Sequence, residues 1–191
     1  EGKGKIVDVL TPHYKMVARF QGGPNAGHTL EFDDKKYILH TIPSGIFHPG
    51  CLNVVGSGVV LDPFIFSKEL DQLSIPMDVL KESLFLCSKA HLILPTHRML
   101  DAAFEQQKGE LKIGSTLKGI GPAYTDKIAR NGLRLMDAFG PDFQHKYRRL
   151  KEAHFRLAPN FDLTGLTLDG LSFEAYEKAW FDGLERIAVL P

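Results

Sequence analysis

The 191-residue chain carries no excess of charge of either sign. Lys plus Arg and Asp plus Glu are 23 each, so nothing global draws it to nucleic acid or to an anionic membrane, and any anion site must be local. Cysteine is scarce: Cys51 and Cys87 show neither CxxC nor CxxH spacing, which speaks against a zinc site or a disulfide framework and leaves two reduced, packed thiols. No apolar run approaches the roughly 20 residues needed to span a bilayer, and the charged start EGKGK is not a signal peptide. The cytosol is the expected location. Internal repeats and low-complexity segments are also missing. What remains is the composition of an ordinary globule, long enough for one domain or one and a part, which buries roughly 70% of its unfolded surface.

The pattern divides near residue 94. KIVDVL (5–10) suits a first helix that Thr11-Pro12 ends or kinks. MVARF (16–20) reads as a short strand that stops at QGGPNAGHT (21–29), a loop by its glycine, proline and asparagine content. LEF (30–32) and YILH (37–40) predict a hairpin around a four-residue turn, Asp33-Asp34-Lys35-Lys36, closed by Ile42-Pro43-Ser44-Gly45. LNVVGSGVVLDP (52–63) predicts a buried strand followed by a tight glycine turn at Gly56–Gly58, then a helix over 63–73 with Pro63 at its start. HLILP (91–95) is a further strand candidate. Beyond it, THRMLDAAFEQQK, GPDFQHKYRRLKEAHFRL and SFEAYEKAWFDGLERIAVL all show apolar residues at helical spacing. Residues 1–94 thus form an α/β portion and 95–191 a mostly helical one. The stripes Phe143, Tyr147, Leu150 and Phe173, Tyr176, Trp180 are core candidates.

Three stretches have the makings of ligand loops. A phosphate-gripping turn needs glycines so that backbone N–H groups converge, a helix N-terminus for positive potential, and a lysine. Gly2, Lys3, Gly4 and Lys5, with a helix beginning near Lys5, satisfy all three. Against GxxxxGK[ST], Ile6 stands where the magnesium-binding hydroxyl belongs and the first glycine is not in the chain; by itself the pentapeptide reads equally well as a solvated terminal piece. In QGGPNAGHT the glycines let backbone approach a ligand, and His28 is placed to donate to an anionic oxygen or shuttle a proton; a lone loop histidine is more often simply solvated. The third stretch, 113–134, places Gly114, Gly119 and Gly121 among Ser115, Thr116 and Lys118, followed by a basic helix bearing Lys127, Arg130 and Arg134. Either it is a second anion loop, centred on 113–124, or a surface loop with a solvated basic face.

Taken in order, these stretches resemble the adenylosuccinate synthetase family, which joins IMP to aspartate at the expense of GTP. EGKGKIVD resembles the second half of that family's QWGDEGKGKIVD, and RFQGGPNAGHTL, IPSGI, GSGVVLDP and GIGPAYTDKIARNGLR resemble its later blocks, over most of residues 1–140. The resemblance implies a P-loop-NTPase-like parallel-sheet α/β fold, an Mg2+-dependent ligase of purine (AMP) biosynthesis, and transfer of the GTP γ-phosphoryl to the 6-oxygen of IMP before the amine of L-aspartate displaces it. Such transfer rests on positioning and charge neutralisation.

By matching position, it implies GTP contacts at Glu1, Gly2, Lys3, Gly4, Lys5, Gly27, His28 and Thr29, with His28 catalytic. IMP contacts fall at Glu1, Gly2, Lys3, Asn25, Ala26, Gly27, His28, Thr116 and Arg130, and the Gly27 carbonyl is a magnesium ligand. Arg130 reaches the neighbouring site of a homodimer. Departures accompany the matches: the family's aspartate base, immediately before Glu1, and its first strand are absent, and its chains are roughly twice as long. Ser115 and Lys118 replace an expected Thr and Arg, the lysine without a bidentate fork. Both ends look cut, which predicts a piece of the ligase that is inactive alone. The alternative is a stand-alone phosphate- or nucleotide-binding module, or a dimerisation module, without catalysis.

Overall fold

The computed structural model describes residues 3–32, 35–111 and 114–191, and for residues 3–5, 8, 28, 31, 32 and 35 the description is of the backbone alone. Glu1 and Gly2 therefore lie outside the described residues, as do Lys112 and Ile113.

The long strand β4, Leu52–Leu61, is the spine. Strand β1, Met16–Gly22, pairs with it in parallel on one side; β5, Leu84–Leu86, and β6, His91–Leu92, pair in parallel on the other. The second half of β4 explains its central place: Val59, Val60 and Leu61 are fully buried, the continuous apolar run of a strand covered on both faces. A separate antiparallel hairpin joins β2, His28–Phe32, to β3, Lys35–Leu39.

Around these strands run α1, Lys3–Leu10, α2, Pro63–Leu73, and α3, Met77–Ser83. The helical part follows: α4, Pro95–Gln107, α5, Ile120–Ala129, the short α6, Leu135–Ala138, α7, Phe143–Leu157, and α8, Phe173–Ile187. Helix α2 spans the predicted 63–73, with Pro63 in its first turn and the buried Asp62 carboxylate accepting from the amides of Phe64 and Ile65. A carboxylate there satisfies donors that the helix cannot.

Helix α8 packs on α2, and the approach is close: a Cβ on Gly183 would lie 2.6 Å from the Pro63 carbonyl oxygen. Tyr176 of α8 donates to Asp62 across 2.7 Å, and Trp180 donates to the Ile93 carbonyl, also at 2.7 Å. One apolar cluster takes in Leu30 and Leu39 of the hairpin, Val55 and Leu61 of β4, and Tyr176, Trp180 and Ile187 of α8. The predicted stripes Phe143, Tyr147, Leu150 and Phe173, Tyr176, Trp180 are all buried in it. Both cysteines are free thiols, Cys51 buried and Cys87 half-buried.

Four expectations need correction. The hairpin turn is shorter than four residues: Phe32 pairs with Lys35 and Glu31 with Lys36, so both lysines extend the ladder as edge residues, where charge is tolerated; the connection itself lies outside the described residues. Gly56–Gly58 is no turn, because β4 runs straight through it. The glycines serve strand proximity instead. A Cβ on Gly58 would fall 2.0 Å from the Phe20 carbonyl oxygen, where β1 slips register between Arg19 and Gln21, a bulge that needs a neighbour without side chains.

The first helix starts by Lys3 rather than near Lys5. The basic helix after the third loop carries only Lys127: α5 ends at Ala129, Arg130 turns into the left-handed region at φ 62°, and Arg134 precedes α6.

Candidate functional site

Two cavities flank the loop that follows β1, and that loop divides its residues between them. The first, about 500 Å³, is lined by Val7 of α1, Val17 and Arg19 of β1, Ala26, Gly27 and Ser44. The second, about 370 Å³, is lined by Asn25 together with Asp101, Glu105, Lys108, Ser115 and Thr116. Consecutive residues Asn25 and Ala26 thus face different cavities, both exposed.

The loop is held from behind. The Arg19 guanidinium donates to the carbonyls of Gly23, at 2.8 Å, and of His40. Tyr124 of α5 accepts from the Gly22 amide at 2.8 Å and donates to the Gly58 carbonyl at 2.9 Å. This one hydroxyl fastens the end of β1, the centre of β4 and the helix after the third loop. Gly27 is crowded: a Cβ there would stand 2.9 Å from the His40 ring and 3.0 Å from the Ile38 side chain, both of which would have to shift.

The predicted site residues sort as follows. Asn25 and Thr116, 91 positions apart in the chain, meet in the second cavity. Ala26 and Gly27 line the first. Helix α1, whose first turn carries Lys3, Gly4 and Lys5, lies against β2, which begins at His28. The helix that carries the first predicted stretch and the strand that begins at the end of the second are therefore neighbours, while the side chains of Lys3, Lys5 and His28 lie outside the description. Thr29 is exposed within β2, paired with Ile38. Arg130 is exposed at the end of α5 and lines neither cavity.

Sequence reasoning missed the acidic side of the second cavity. Asp101 and Glu105 stand four apart on α4, hence on one face, and Lys108 follows three residues later, 3.0 Å from Glu105. Lys108, with the amides of Gly114 and Ser115, holds the Glu105 carboxyl down at about 2. The signal was present as i, i+4 spacing, which alone marks no more than one face of a helix.

Also missed was a trio of two buried histidines around the half-buried Asp126. Asp126 of α5 accepts from His97 of α4 at 3.1 Å and meets His154 of α7 at 2.9 Å, through the same carboxylate oxygen. Since His97 Nδ1 accepts from the Leu94 amide, its proton sits on Nε2, facing Asp126. That arrangement is a hydrogen-bonded tie between three helices; the nitrogen a metal ion would need is already a donor.

Parallel strands flanked by helices, with glycine-rich loops gathered beside two adjoining cavities, define an α/β nucleotide-binding fold. The chain belongs to the adenylosuccinate synthetase family: the family model described by that name matches residues 1–187. It is 54% identical over 191 residues to adenylosuccinate synthetase of Bacteroides fragilis, covering 98% of this chain and 43% of that protein. With the enzyme of Christiangramia forsetii it shares 60% over 163 residues, 85% of this chain and 38% of the relative. The structure of fully ligated adenylosuccinate synthetase from Plasmodium falciparum matches it with a TM-score of 0.83 at 29% identity, over 100% of this chain and 43% of that one. The chain thus spans less than half the length of these relatives.

Proposed function

We propose that the protein carrying this chain is a GTP-dependent ligase that joins IMP and L-aspartate into adenylosuccinate by way of 6-phosphoryl-IMP. The observation that carries the reading is the shared cavity of Asn25 and Thr116, two of the residues assigned to IMP, beside the cavity of Ala26 and Gly27, which are assigned to the same ligand. One loop so divided can hold IMP on one side and present its base to the GTP phosphates on the other. Family membership and the likeness to a ligated enzyme support the same reading, and no feature favours a non-catalytic nucleotide-binding or dimerisation module.

In this reading Glu1, Gly2, Lys3, Gly4 and Lys5 cradle GTP phosphates at the start of α1, and Thr29 lies alongside. His28 donates to the γ-phosphoryl as negative charge develops, a contribution that grows in the transition state and so acts on kcat. Glu1, Gly2, Lys3 and Ala26 to His28 border IMP, with Asn25 and Thr116 near its phosphate. The Gly27 carbonyl would hold Mg2+, an oxygen donor of the hard kind that ion takes. When bound, the ion neutralises phosphate charge. Arg130, exposed and outside both cavities, reaches the IMP phosphate of a second copy in a homodimer. Residues 1–94 hold GTP and IMP while 95–191 bring the phosphate loop. The protein works in the cytosol; among the described residues no helix is long and apolar enough to cross a membrane.

The test is steady-state turnover of IMP, GTP and aspartate by the protein carrying this chain, with His28→Asn beside it. Adenylosuccinate should form, and His28→Asn should lower kcat by about 10²-fold or more with the KM for IMP little changed. Absence of product from the unaltered protein, or an unchanged kcat in the variant, overturns the reading.

A further inference from the structure

The loop before α5 has an unusual backbone and an unusual set of partners. Gly114, Leu117 and Gly119 all lie in the left-handed region, at φ 77°, 52° and 72°. Leucine adopts that conformation only under constraint. The constraint comes from one face of α4. Glu105 Oε1 accepts from two consecutive amides, Gly114 at 2.7 Å and Ser115 at 3.3 Å. Asp101 accepts from the Ser115 hydroxyl at 2.7 Å and from the Gly119 amide at 2.9 Å. The Ser115 hydroxyl in turn accepts from the Leu117 amide at 3.2 Å. Arg98, buried, donates to the Leu117 carbonyl at 3.0 Å.

Two carboxylates in the wall of a cavity meant for a phosphate are a paradox, since like charges repel. The hydrogen bonds resolve it. Both oxygens of each carboxylate are committed, Glu105 to two amides and Lys108, Asp101 to a hydroxyl and an amide. Their charge is met by the loop itself. Thr116 is the loop residue left over: it is exposed, lines the cavity together with Asn25, and among the described residues has no hydrogen-bond partner.

We propose that Asp101 and Glu105 are positioning residues that hold the 114–119 loop from the helix side so that Thr116 lines the cavity together with Asn25, ready for the phosphate of a nucleoside monophosphate. The inference rests on the proposed use of this cavity for IMP. It assigns the α4 carboxylates to the loop, whose Gly114 and Ser115 amides are engaged by Glu105 and so are not the groups that meet the ligand's phosphate.

The experiment compares Glu105→Ala, Glu105→Gln and Ser115→Ala with the unaltered protein, by amide hydrogen exchange without nucleotide and by the dissociation constants of IMP and inosine. Ser115→Ala removes only a loop hydroxyl and leaves the core untouched. In Glu105→Ala the amides of Gly114 and Ser115 should exchange faster and IMP should bind about tenfold more weakly, while inosine, which lacks the phosphate, changes less than about twofold. Glutamine retains an acceptor oxygen and should restore most of the loss; Ser115→Ala should weaken IMP severalfold. Unchanged exchange in Glu105→Ala, equal weakening of IMP and inosine, or tighter IMP binding without the carboxylate overturns the proposal. Failure of the unaltered protein to bind IMP overturns instead the assignment of the cavity, and the exchange data still judge the clamp.

Discussion

His97 donates from Nε2 to Asp126 across 3.1 Å, and the bond joins α4, which carries the loop-holding carboxylates, to α5, which follows the loop. Burial pushes the His97 imidazole down to about 4, with Asp126 only partly opposing the fall. Asp126 is itself held well below the ordinary carboxylate range: its burial raises it, and the hydrogen bonds from His154 and His97 more than reverse that.

These shifts give a pH dependence with a definite sign. Between pH 4 and 6.5 the unfolded chain protonates His97 while the folded one keeps it neutral, so the unfolded state binds more protons and stability rises with pH. The contribution is complete above about 6.5 and is lost as pH falls toward 4, amounting to on the order of 2–3 kcal/mol. His97→Asn preserves an acceptor for the Leu94 amide and removes the titration. Thermal unfolding from pH 7 to 4.5 should show a steep loss in the unaltered protein and a flatter one in His97→Asn. Equal slopes would contradict the buried neutral imidazole.

Much of this architecture was legible because local physics and tertiary need agreed. Asp62-Pro63 caps a helix on its own terms, and the helix begins where it should; the Tyr176 and Trp180 stripe buries because α8 has an apolar face to hide. The glycines of β4 misled because a Gly-Ser-Gly triplet is locally a turn, while its actual cause, the bulged backbone of β1 at Phe20, lies far off in the chain. Arg130 was placed on a helix because helix termination there depends on a left-handed residue that is not glycine, which composition does not announce. The glycine-rich loops stood out in the sequence as candidate ligand loops; the carboxylates that shape one of them did not, because Asp101 and Glu105 look like any solvated helix face until the loop is folded onto them.

The glycine argument predicts unequal outcomes at two positions. Gly58→Ala must displace the Phe20 carbonyl from 2.0 Å and separate β1 from β4, a backbone rearrangement costing about 2 kcal/mol or more. Gly121 lies in the first turn of α5 with nothing within 4 Å of an added Cβ, and the helix-propensity gain of alanine is offset there by the proline that follows, so Gly121→Ala should change stability by less than about 1 kcal/mol. Urea unfolding of both variants is the measurement. Equal loss of stability in both would mean the strand contact is not what demands glycine.

Trp180 tests the link between the helical part and the sheet. Its ring is fully buried, packed against Phe143, Tyr147 and Phe181, and its indole N–H satisfies the Ile93 carbonyl just beyond β6. Phenylalanine forfeits the hydrogen bond and leaves part of the volume empty, together about 2–4 kcal/mol. The unfolding midpoint should drop accordingly while the denaturant slope stays constant. A change under 1 kcal/mol would show that α8 is dispensable to the sheet.

The buried Glu69 makes the last case. From α2 its carboxylate accepts from three successive backbone amides, His40 at 3.0 Å, Thr41 at 2.9 Å and Ile42 at 3.0 Å, where the chain leaves β3 toward Pro43 and Ser44 at the rim of the first cavity. Three convergent donors need an acceptor-only group. Glutamine offers one oxygen and turns an NH2 toward N–H groups that it cannot satisfy, so Glu69→Gln should cost about 1–3 kcal/mol although it is nearly isosteric. Because these amides fix the segment bordering Gly27, the same variant should speed their hydrogen exchange beyond what the global loss of stability explains. If exchange at Thr41 and Ile42 tracks global unfolding alone, the carboxylate is a packing group and not the anchor of that rim.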